Sequence, residues 1–163
     1  MRPVHGRSTG SLGSMQIASR IRALRENSSK SEPELCRLLD ISVSAYDDLE
    51  AYDHELFSAL SLRQVQLLAQ FLGVSVHELV TGQKFIGEPL PLEGVAQLVR
   101  CAMARDSLSV DAFEDKAGWE LSEFLASPLE LAQQRSIDFL RDVASAIGVD
   151  YLRILAAVGQ HAA

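Results

Sequence analysis

The chain's four histidines and two cysteines are its main candidates for metal or nucleophilic chemistry, and their spacing argues against both. His5, His54, His77 and His161 are scattered, and none stands four residues from another as a helical metal pair requires. Cys36 and Cys101 are too few for a zinc site or a disulfide framework. Each sits in an apolar helical pattern and reads as a small buried hydrophobe, which suggests a reducing, cytoplasmic setting. No glycines cluster between a strand and a helix to cradle phosphate, and no nucleophile turn gives the many Ser, His and Asp residues a geometry. The expectation is a protein that is not an enzyme, with no catalytic residue, cofactor or metal. His77 then reads as a surface residue.

Charge placement is more informative. Asp40, Asp47, Asp48, Glu50, Asp53 and Glu55 fall in one stretch that contains no Lys or Arg. Over the 163 residues, 15 basic against 22 acidic side chains leave a net charge of -7, which disfavours non-specific coating of nucleic acid or membrane. With 47% hydrophobic and 23% charged residues the composition is globular. The longest apolar stretches, such as Leu67–Val76, are interrupted by Gln70 and Ser75, so no membrane span is expected. No apolar run follows the first Met to read as a secretory signal.

The elements that position these residues read as short helices, and strand signals are almost absent. Residues 1–14 show no apolar periodicity and read as a flexible leader or tag. Ile17, Ile21 and Leu24 form one face of a first helix. Ser31 and Glu34 make a capping box ahead of Leu35, Leu38 and Leu39. Ser42 caps a third helix carrying Tyr46 and Leu49. Ser61 opens a fourth, with Leu62, Val65, Leu68, Ala69 and Leu72 inward and Gly73 as its stop. Ser75 caps a fifth that holds Leu79. Residues 83–94, with two prolines and two glycines, read as a linker.

Beyond it the pattern restarts. A shift of 78 pairs Ile17 with Val95, Ile21 with Val99, Ser31 with Ser109, Leu35 with Phe113, Ile41 with Trp119 and Tyr46 with Phe124. A shift of 75 then pairs Leu62 with Ile137, Val65 with Leu140, Leu68 with Val143, Leu79 with Ile154, and Gly73-Val74 with Gly148-Val149. The chain therefore reads as an all-α protein of two tandem five-helix units, 15–82 and 95–158, joined by the linker. Trp119, aligned with Ile41, is expected in the core.

Residues 17–80 resemble the helix-turn-helix domain of the Cro/C1-type repressors, the XRE-like family with the lambda-repressor fold. The resemblance rests on Ile17-x3-Ile21-x-x-Leu24-Arg25, Ser31-Glu32-x-Glu34-Leu35-Cys36, Leu39-Asp40-Ile41-Ser42 and Tyr46-x-x-Leu49-Glu50. Its most specific stretch is Leu68-Ala69-x-x-Leu72-Gly73-Val74-Ser75-x3-Leu79. The second half resembles the family only through the internal repeat. The resemblance implies a structural ion pair between Arg25 and Glu50. Their counterparts, Met103 and Pro128, lack both charges together, as a shared fold permits. It also implies that Ser42, Val43, Ser44, Asp47 and Asp48 read DNA bases. Around them, Arg20, Arg22, Lys30 and Arg37 are the candidates for phosphate contacts; an ordinary solvated face, with pairs such as Arg22–Glu26, is the alternative.

The acidic third helix conflicts with that role, because each carboxylate is repelled by phosphate. Glu32 also stands where the family often has Gln for a phosphate contact. In the second unit Glu120 and Glu123 repeat the conflict, beside Trp119, Leu121, Phe124 and Leu125, a set suited to packing. Two functions follow as expectations. One is a DNA-binding transcriptional regulator whose second unit serves homodimerisation or partner binding. The other is an interaction protein (an antitoxin, an immunity protein or a DNA-mimicking inhibitor) whose acidic scaffold meets a basic protein.

Overall fold

The computed structural model describes residues 16–158, and every regular element among them is helical. The first half contains α1 (Ile17–Asn27), α2 (Glu32–Leu39), α3 (Val43–Leu49), α4 (Glu55–Ser58), α5 (Leu62–Phe71) and α6 (Val76–Thr81). The second contains α7 (Leu92–Asp106), α8 (Val110–Ala117), α9 (Ser122–Ala126), α10 (Pro128–Gln134), α11 (Ile137–Ile147) and α12 (Tyr151–Val158). Among the described residues each half thus has six helices where periodicity predicts five. The additional elements are α4, whose four residues are too short to display an amphipathic repeat, and α10. None of the described helices is long and apolar enough to cross a membrane. The leader, residues 1–14, lies outside the described residues.

Local chemistry sets the boundaries. Ser42, Ser61, Ser75 and Ser109 each accept a hydrogen bond from a backbone N–H in the first turn of α3, α5, α6 and α8. Glu34 and Gln64 reach back to the N–H groups of Ser31 and Ser61. Helix ends recur with the same spacing in both halves. Ser29, Asp40 and Gly73 take left-handed backbone conformations, and so do Ser107, Gly118 and Gly148, displaced by 78, 78 and 75 residues. The closing bonds recur as well. The Val74 N–H donates to the Ala69 carbonyl at 3.0 Å and the Val149 N–H to that of Ala144 at 2.9 Å.

Packing follows the same plan. α1 lies on α6, α2 on α5, α5 on α6 and α3 on α4; likewise α7 lies on α12, α8 on α11, α11 on α12 and α9 on α10. Between the halves, α5 meets α10, α4 meets α11, and α6 meets α12. Exchanging the halves turns the first contact into the second and the third into itself, the pattern of an approximate twofold axis. Backbone bonds fasten the seam. The first N–H of α5, at Leu62, donates to the Arg135 carbonyl at 2.7 Å, and the Gln66 side chain donates to the Val158 carbonyl at 2.7 Å.

One cluster of buried residues runs through both halves, including Ile21, Leu35, Tyr46, Leu68, Leu79, Phe113, Phe124, Phe139 and Ile154. The segment after α6 is held rather than slack. The Leu90 N–H donates to the Arg153 carbonyl, Arg153 Nε donates to the Glu88 carbonyl, and Phe85 sets an edge on His77. α7 takes Leu92, Glu93 and Gly94 from the expected linker.

Three placements differ from the sequence expectation. His77 is 7% exposed, because α6 is enclosed by α1, α5 and α12 together. Cys101 is exposed, one position off the inner face of Val95, Val99 and Ala102. Cys36 alone of the two thiols is buried. Trp119 is half-buried, like Ile41, rather than central. Its ring stands edge-on to Phe139 at 5.4 Å while its Nε1 donates to Asp142.

Because the core is continuous, the two halves are expected to unfold together. Leu68→Ala in α5 should cost about 2–5 kcal/mol. It should lower the urea midpoint reported by Trp119, the only tryptophan, as much as the midpoint reported by far-ultraviolet circular dichroism. Divergence of the two midpoints would show that the halves unfold separately.

Candidate recognition surface

α3 is a two-turn helix whose inner residues, Tyr46 and Leu49, are buried. Its remaining positions face solvent. Ser42, Val43, Ser44, Asp47 and Asp48 are all exposed, Val43 to 56%. The structure thus places the five base-reading candidates on one accessible helix, preceded by Asp40 at the end of α2.

That helix is held by a buried carboxylate at its C-terminal end. Glu50, 7% exposed, accepts hydrogen bonds from four N–H or O–H groups. Arg25 Nε donates to Oε1 at 2.6 Å and Arg25 Nη2 to Oε2 at 2.9 Å; Arg22 Nε donates to Oε2 at 3.1 Å, and the Tyr46 hydroxyl to Oε1 at 2.9 Å. Arg25 also pairs with Glu32 at 3.2 Å. Burial pushes the Glu50 carboxyl up, but the bonds from Arg25, Tyr46 and Arg22 outweigh it and hold the group below its ordinary value. Burial and the same contact push the Tyr46 hydroxyl up, while the bond to Glu50 pushes the Arg25 guanidinium up.

The phosphate-contact candidates fare differently from one another. Arg20 is not a surface residue. It is 3% exposed, and Nη1 donates to the carbonyls of Leu79 and Val80 at 2.9 and 2.8 Å. A cation there satisfies the open carbonyls at the end of α6, so the expected phosphate role is corrected to a structural one. Arg22 reaches Glu50 from α1 rather than pairing with Glu26, and its Nη2 also donates to the Glu50 carbonyl. Lys30 is half-buried, its ammonium 4.4 Å from the centre of the Phe71 ring. Arg37 remains exposed, bonded to the Pro33 carbonyl of its own helix.

The acidic run divides likewise. Glu50 and Asp53 are structural, since Asp53 Oδ1 accepts the Ala18 N–H at 2.8 Å and supplies α1 with the cap that Gln16 does not. Glu55 contacts His54. Asp40, Asp47 and Asp48 are exposed and make no ion pair or side-chain hydrogen bond among the described residues.

The second half lacks the ion-pair end of this arrangement but shares another part. Arg100, at the register of Arg22, donates to the Leu125 carbonyl near the end of α9. Glu114, at the register of Cys36, accepts the N–H groups of Leu121 and Ser122 and so anchors the start of α9. Residue types do not announce these roles, because each depends on a loop folding back onto the helix. No protein-family model, curated protein or solved structure matches the chain.

Removing the Glu50 carboxylate leaves the half-buried guanidinium of Arg25 with Glu32 as its remaining carboxylate partner and takes the acceptor from the buried Tyr46 hydroxyl. Glu50→Ala should cost about 3–5 kcal/mol at neutral pH. A carboxyl held below its ordinary 4.5 stabilises the fold above that pH and loses the contribution as pH falls through the folded value. Urea titrations at neutral and acid pH should show native stability falling below about pH 4.5, with a shallower fall in Glu50→Gln. Equal slopes would mean that Glu50 does not carry the acid dependence.

Proposed function

We propose that this chain is a non-catalytic interaction protein that uses a repressor-like helix-turn-helix scaffold, duplicated in degenerate form, to present α3 to a basic protein. The observation that carries this reading is the division of charge around α3. Asp40, Asp47 and Asp48 are exposed and form no ion pair among the described residues, while Arg20, Arg22, Arg25 and Lys30 are largely engaged. Arg20 closes α6, Arg22 and Arg25 hold Glu50, and Lys30 covers Phe71. A major-groove helix needs flanking cations to hold it against phosphate. Here repulsion would meet the backbone first. A cationic protein surface gains from the same three carboxylates, chiefly in association rate.

The second half supports a closed scaffold rather than a dimer arm. α10, α11 and α12 pack against the first half, so the apolar faces available for C-terminal homodimerisation are partly covered within the chain. The DNA-binding regulator is the second reading. It is favoured by the exposure of Ser42, Val43 and Ser44 at the start of α3 and by the exposure of Arg37.

Electrophoretic mobility shifts on the DNA upstream of the chain's own gene separate the two. The interaction reading expects no shift at micromolar protein in low salt. A regulator would shift it, with a shallow salt slope of about three or four set by its few available cations. Asp47→Asn with Asp48→Asn would then tighten non-specific binding by removing like-charge repulsion. A specific shift by the unmodified chain would overturn the interaction reading.

A further inference from the structure

Resting on that interaction reading, we propose that the partner presents arginine rather than lysine to α3, on a segment that also offers an aliphatic side chain. Beside the carboxylates, two large apolar side chains are exposed. Val43 is 56% and Tyr52 53% exposed. Val43 lies one turn before Asp47. Tyr52 lies one turn after Asp48, because its N–H donates to the Asp48 carbonyl at 2.8 Å and continues the helical turn beyond α3. The Tyr52 ring meets His54 only at a 41° tilt and 5.9 Å, so much of the ring remains open.

An aromatic face one turn from an unpaired carboxylate suits a planar cation. Guanidinium can stack on the ring and donate two parallel hydrogen bonds to the carboxylate. Ammonium is a compact, strongly hydrated charge that does neither well. Asp47 and Asp40 supply further negative charge for a second cation, and Val43 gives an aliphatic neighbour a contact. Charge complementarity therefore selects a basic partner, and Tyr52 selects the kind of base.

The test uses the full chain and two labelled peptides of equal length, one alternating arginine with alanine and one lysine with alanine, read by fluorescence anisotropy. The arginine peptide should bind more tightly. Tyr52→Ala should weaken it about three- to fivefold and leave the lysine peptide unchanged, while Tyr52→Phe should retain the preference. Asp47→Asn with Asp48→Asn should weaken both peptides about tenfold. Asp115→Asn with Glu130→Gln, which removes equal charge elsewhere, should leave both near the unmodified value. Equal binding of the two peptides, or a preference that survives Tyr52→Ala, overturns the arginine assignment and leaves the interaction reading standing if the Asp47/Asp48 change still weakens both. If that change weakens neither peptide, or the control pair weakens them equally, the interaction reading fails and the arginine assignment with it.

Discussion

The candidate recognition surface depends on one buried carboxylate. Glu50 closes α3 and joins it to α1 through Arg22 and Arg25, while the Tyr46 hydroxyl donates to Oε1 from within α3. A charge so little exposed is tolerable only because each oxygen accepts at least two bonds and two cations oppose it. The consequence is positional. With its C-terminal end fixed to α1, the two-turn helix can turn Ser44, Asp47 and Asp48 outward without an apolar partner over them. Arg20 does related work at the other end of α1, where burial pushes its guanidinium down while Asp53 raises it. Arg20, Arg22 and Arg25, together with Lys30 over Phe71, are thus largely engaged, and the surface left behind is acidic.

The two halves solve the same geometric problem with different chemistry. In the first half, Ser42 caps α3 directly and Glu50 fixes its end. In the second, Glu120 stands where Ser42 would, and Glu114 supplies the cap from α8. Pro128 cannot hold an arginine, but it begins α10, and α10 packs on α5 of the first half. Losing a charge network is affordable where a neighbouring helix covers the same place with apolar contact. α9 is accordingly more a support than a free helix, with Leu121 and Phe124 buried.

What the sequence made legible was local. The serine caps, the Gly73 and Gly148 stops and the apolar faces of α1, α2, α5, α7 and α11 are written in neighbouring residues, so spacing reveals them. Arg20 and His77 are different. Each is an ordinary polar residue until α6 is enclosed by α1, α5 and α12, and no spacing within its own helix encodes that enclosure. α4, with four residues, is too short to carry a period. Asp53 shows the same limit in the acidic run, because its role as the cap of α1 joins residues 35 positions apart.

The acidic run itself shows why composition alone misleads about partners. Six carboxylates between positions 40 and 55 suggest a uniformly repellent face. The fold withdraws Glu50 and Asp53 into structure and leaves Asp40, Asp47 and Asp48 outside, beside Val43 and Tyr52. At an effective dielectric near that of water each remaining charge contributes little by itself. Two on α3 and a third at the end of α2 act together, because the fold already holds them without a further loss of backbone entropy. In the proposed interaction, such a surface would draw its association rate from the carboxylates and its selectivity from the exposed ring and methyl groups beside them.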